Sequence, residues 1–149
     1  MDPVPFTAGI VVALATIAAG RVSGFDRDRS FYPTVLAVIA LLYVLFGVES
    51  GAPAVVSAES VVAFAFVAVA VLAVRRRSAL LLAAGLALHG LWDLAHPALL
   101  PASDAVPGWW PAFCFGVDLP LAAWAYARWP PRSHVEDPAP SRGVGPAAP

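Results

Sequence analysis

All nine basic residues of this 149-residue chain are arginines, and they mark alternate ends of five long apolar segments. Arg21, Arg27 and Arg29 follow the first segment, Arg75, Arg76 and Arg77 the third, and Arg128, Arg132 and Arg142 the fifth. The other connections carry acids and no arginine. Arginine is costly to move across a bilayer and collects in the cytoplasmic connections of membrane proteins. The pattern therefore predicts an all-α integral membrane bundle of five transmembrane helices, with the N-terminus outside and the C-terminus cytoplasmic.

Composition excludes the main alternatives. With 60% hydrophobic and 13% charged residues, a water-soluble domain of this length has too little polar surface to cover itself. The arginines form short groups flanking the apolar segments and no basic face, so nucleic acid is not a partner to expect; the bilayer is. Cys114 is the only cysteine, which rules out an intramolecular disulfide and reads as a small core residue. The first residues lack the basic region of a secretory signal, so the first segment is expected to be a retained helix.

The expected spans are residues 4–22, 31–48, 55–74, 79–96 and 109–129, each near the roughly 20 residues that cross a hydrocarbon core. Pro33 falls in the first turn of the second span, where a missing N–H does least harm. Pro97 sets the end of the fourth at His96, because the residue before a proline avoids helical geometry. Pro120 interrupts the fifth and predicts a kink. Trp109 and Trp110 at one end, and Tyr126, Arg128 and Trp129 at the other, read as interfacial anchors. Residues 1–129 thus form one transmembrane domain, and the proline-rich stretch 130–149, which holds His134, reads as a disordered cytoplasmic tail. Runs of alanine and glycine, as in Ala13–Gly20 and Ala83–Ala87, permit close helix approach, within the chain or between copies or membrane partners.

Chemistry concentrates on the fourth span. At ~100° per residue, His89, Asp93 and His96 share one narrow stripe, and ionisable groups within a span cost about 2.5–3.5 kcal/mol each at its centre. Depth extends the set: Asp118 on the fifth span lies level with His89, Cys114 is one turn farther out, and Glu49 and Glu59 lie near the level of His96, with Tyr43 close by. Imidazoles with carboxylates match the ligands of a divalent metal such as Zn²⁺. His89, Asp93, His96, Asp118 and Glu49 are the candidate ligands, and His89, Asp93 and Asp118 the candidate catalytic groups. Taken alone, Glu49 and Glu59 read as solvated residues at the membrane interface. The same residues also fit a proton or ion transporter, or an accessory subunit that uses the stripe for helix pairing.

The stretch His89-Gly90-Leu91-Trp92-Asp93-Leu94-Ala95-His96, with Cys114 and Asp118 after it, resembles a pattern in small bacterial multi-pass membrane proteins of an uncharacterised family. The segment from Gly24 to Thr34 resembles the same group, and the likeness extends to about Arg128. It implies a bacterial inner membrane location and emphasises the polar stripe, without naming a reaction.

Overall fold

The computed structural model describes residues 2–100 and 105–129, and over them the chain is all-helical. Five α-helices follow one another: α1 (Pro3–Ser23), α2 (Phe31–Glu49), α3 (Pro53–Arg76), α4 (Ala79–Leu99) and α5 (Trp110–Arg128), with a single 3-10 turn, Phe25–Arg27, between the first two. The proposed tail, with Arg132, His134 and Arg142, lies outside the described residues.

Local chemistry sets the boundaries. The Val4 N–H donates to the Asp2 carboxylate at 3.0 Å, and Pro3 follows at the first helical position. Gly24 ends α1 at φ 80°, in the left-handed region open to a residue without Cβ. In the next connection the N–H and hydroxyl of Ser30 both donate to Asp28 at 2.8 Å, and these bonds hold the Asp28 carboxyl below its ordinary range. Ser78 caps α4 by accepting from the Leu81 N–H at 3.2 Å.

One expected boundary is corrected. Helix α4 does not stop at His96 but runs through Pro97 to Leu99, and the Leu100 N–H closes the last turn on the His96 carbonyl at 3.0 Å. So near a helix end, proline removes one amide and leaves the Asp93 carbonyl without its usual partner, while the remaining turn still closes.

Four helices, α1 to α4, are long and apolar enough to cross a membrane, and the chain is a multi-pass helical membrane protein in that coarse sense. Helix α5, with Asp118, Arg128, two prolines and two tryptophans, is not among them. It packs extensively against both α1 and α4, so less of its perimeter must be apolar.

Polarity is inverted relative to a soluble protein. Large apolar side chains such as Val11, Leu14, Leu41, Val61 and Phe64 are exposed, whereas Glu59, His89, Asp93, His96 and Asp118 are all buried. Outward hydroxyls are satisfied within their own helices: Thr7, Thr16, Ser57 and Ser60 donate to carbonyls four residues back at 2.7–2.9 Å.

The interior divides along its length. Toward the arginine-bearing helix ends lies an apolar cluster that includes Ile17, Leu36, Leu82, Leu86 and Leu121. Trp129, expected as an interfacial anchor, is instead buried in it. The aromatic contact at this end is made by the half-buried Trp124, with the guanidinium groups of Arg21 and Arg128 at 5.5 and 5.6 Å from its ring centre. Those two cations therefore lie at one end of the bundle. The opposite half holds the buried acids and histidines.

Candidate metal centre

Helix α4 supplies the scaffold, because its buried stripe continues from Leu82 and Leu86 directly into His89, Asp93 and His96. Helix α5 brings Asp118 against it. Gly90 makes the approach close: a Cβ there would stand 3.1 Å from both the Asp118 Cβ and the Phe115 ring. His89 Nδ1 consequently lies 2.8 Å from Asp118 Oδ2 and 3.4 Å from Asp93 Oδ2. The Phe66 ring of α3 meets the imidazole edge-on at 4.9 Å and fixes its plane.

One ligand atom from each of His89, Asp93 and Asp118 lies within 4.8 Å of the other two. A single N–H cannot satisfy two carboxylates. Neither oxygen of Asp93 has a hydrogen-bond partner, and Asp118 Oδ1 and His89 Nε2 also lack one. In the deprotonated forms that bind metal, two carboxylates and one imidazole would supply two negative charges to offset a divalent cation. Three protein donors also leave room for a fourth ligand, the ligand count of a catalytic rather than a structural zinc site.

The other expected ligands sit elsewhere. His96 turns to α3, where its Nε2 is 2.6 Å from Glu59 Oε1. Glu59 is therefore not a solvated interface residue: it is 1% exposed and enclosed with its histidine. Glu49 is exposed at the end of α2 and joins neither group. Tyr43 stands between the two, its ring 4.4 Å from that of His96 and 6.4 Å from that of His89, with Asp93 beside its hydroxyl. Cys114 is buried, as expected of a core residue. The Glu59–His96 pair was only half legible in sequence, because depth puts the two level while nothing in the valine- and alanine-rich α3 fixes which way Glu59 faces.

The pair gives a direct test. Glu59→Ala leaves a buried imidazole without its acceptor and is expected to cost about 1–3 kcal/mol, whereas Glu59→Gln, which keeps a hydrogen-bonding oxygen, is expected to cost less than half of that. Thermal melting of the detergent-solubilised variants measures both. Equal loss in the two would mean that the charge, not the hydrogen bond, holds the pair.

Comparison of the chain with protein-family models, with curated proteins and with solved structures finds no match in any of the three.

Proposed function

We propose that this is a five-span protein of a bacterial inner membrane that holds a divalent cation such as Zn²⁺ between His89, Asp93 and Asp118, and acts on a lipid-like or small apolar substrate. The observation that carries the reading is the second carboxylate, buried without a hydrogen bond. A structural His–Asp pair needs only Asp118, yet Asp93 is buried 3.4 Å from the same imidazole nitrogen with neither oxygen hydrogen-bonded. A bound divalent ion supplies Lewis acidity and can lower the pKa of a coordinated water. Around it, the chain's own groups exclude bulk water and fix the imidazole through Phe66 and the two carboxylates.

Elemental analysis of detergent-purified protein tests this. Near-stoichiometric metal is the expected result. Protein that is metal-free and stays so after addition of Zn²⁺, Mn²⁺ or Fe²⁺ overturns it and leaves proton transfer or the accessory-subunit role, the latter supported by stoichiometric co-purification of a membrane partner.

Proton transfer is the second reading, favoured by one feature. Tyr43 bridges the space between the Glu59–His96 pair and Asp93, so titratable groups form a line through the polar half of the bundle. Proton uptake into proteoliposomes separates it from the first.

The topology has its own support and test. Arg21 and Arg128 share Trp124, which accords with the C-terminal ends of α1 and α5 on one, cytoplasmic, side and α5 as the fifth span. In a Cys114→Ala background, a membrane-impermeant thiol reagent is expected to label Ala52→Cys in intact cells and Asp26→Cys only after lysis. The reverse order would invert the assignment.

A further inference from the structure

A cavity of about 260 Å³ lies between α1, α2 and α5, on the α5 face that also carries Asp118. Its walls include Val12 of α1, Val35 and Ile39 of α2, and Trp110, Cys114 and Asp118 of α5. The last three fall at i, i+4 and i+8 on a single face of the helix, about 12 Å from first to last at 1.5 Å per residue. Most of the lining is apolar, and the hydroxyl of Thr16 in it is satisfied by the Val12 carbonyl. Trp110 Nε1 and Asp118 Oδ1 are buried and have no hydrogen-bond partner.

The slot opens sideways. Among the described residues, α1 packs on α5 and on the 3-10 turn and makes no extensive contact with α2, so these helices meet only at one end. Val12 both lines the cavity and is 44% exposed, and its neighbours Val11 and Leu14, with Val38 and Leu41 across the gap, are exposed apolar residues on the outer surface. In a bilayer such a mouth faces lipid chains and not water. The volume, about nine times that of one water in the liquid, suits one short alkyl chain and not a diacyl lipid.

We propose that this cavity binds the single hydrocarbon chain of a membrane amphiphile, admitted laterally between α1 and α2, with its hydrogen-bond-donating end at Asp118. The chain displaces nothing polar along Val35 and Ile39. Its terminal hydroxyl or amine donates to Asp118 Oδ1, the oxygen left over when Oδ2 faces His89. That brings the polar end to the metal centre. The inference thus gives the proposed site its substrate class and rests on that reading for what happens there, but not for binding itself.

The test is photolabelling of wild-type protein in phosphatidylcholine nanodiscs with a medium-chain primary alcohol carrying a mid-chain diazirine, and with the matching alkane. Adducts are expected on the cavity-lining stretches of α2 and α5. The alkane is expected to label about tenfold less, the low end for loss of one charge-assisted hydrogen bond. Ile39→Trp and Val12→Trp, which fill the slot from opposite walls, are expected to cut labelling at least tenfold while metal content and gel-filtration profile stay those of wild type. Adducts confined to Leu14, Val38 and Leu41, or unchanged labelling in both well-folded variants, overturn the slot. Equal labelling by alcohol and alkane overturns the role of Asp118. Metal-free protein that still labels inside the cavity would remove the metal centre and leave the slot standing.

Discussion

In the proposed metal centre, Asp118→Asn is expected to lower the affinity for a divalent cation about 100-fold or more. Changes around a metal's ligands already cost 10–100-fold, and this one alters a ligand itself. Asparagine keeps the shape of the side chain, so α5 can still seat against Gly90. What goes is one of the two negative charges that would offset the proposed ion in a buried site. His89→Ala removes the nitrogen donor and Asp93→Asn the second charge, and both are expected to behave alike. The informative controls are His96→Ala and Glu49→Gln, in which metal should remain, because His96 belongs to Glu59 and Glu49 is exposed. Elemental analysis of all five checks the assignment. Loss in His96→Ala equal to that in Asp118→Asn would restore the larger ligand set that sequence spacing implies. Because the ligands bind metal in their deprotonated forms, apparent affinity in the wild type should rise with pH and fall in acid.

That contrast shows what sequence can and cannot specify here. Apolar length and arginine placement made the helical ladder legible, since every backbone amide in a bilayer must find its partner within its own helix. Rise per residue made relative depth legible, which is why His89 meets Asp118 and His96 meets Glu59, at the levels counted along their helices. Rotation was legible for the polar stripe of α4 but not for α3. In a soluble helix the polar face tells which side is out, but lipid and core are both apolar, so the valines and alanines around Glu59 give no bearing. Glu49 and Glu59 look equivalent in sequence, as acids near helix ends. One turned inward and the other did not. Pro97 misled for another reason: the rule that a residue before proline avoids helical geometry is a preference, and one further closed turn outweighs it at a chain segment leaving the bundle.

The buried polar half and the apolar half divide the work of holding the bundle together. Ion pairs and hydrogen bonds within membranes contribute modestly, because partners exist in the unfolded state as well. Close packing must supply most of the specificity, and α1 and α5 meet backbone to backbone at Gly9 and Gly116. That leads to the second large effect.

Gly116→Val is expected to destabilise the protein by at least about 3 kcal/mol, the upper end of overpacking, and to abolish metal binding at the proposed centre with it. A Cβ at Gly116 would collide with the carbonyl oxygen of Phe6 and stand 3.3 Å from the Gly9 Cα; one at Gly9 would collide with the carbonyl oxygen of Phe113 and stand 3.0 Å from the backbone of Gly116 and Val117. Backbone cannot rotate aside as a side chain can, so the helices must separate. Each glycine faces the other, which makes either substitution sufficient. Asp118 lies two residues from Gly116, so separating α5 from α1 shifts the carboxylate that reaches His89 across α4. Gly20→Ala is the control: its Cβ would meet the edge of the Phe31 ring at 3.2 Å, which can yield, and the Asp26 Cβ at 3.7 Å, an ordinary contact. Thermal melting and metal content, measured together on the three variants, separate the outcomes. Gly9→Val and Gly116→Val should lose both and Gly20→Ala neither. Wild-type melting of Gly116→Val would show that α5 does not depend on that contact to present Asp118.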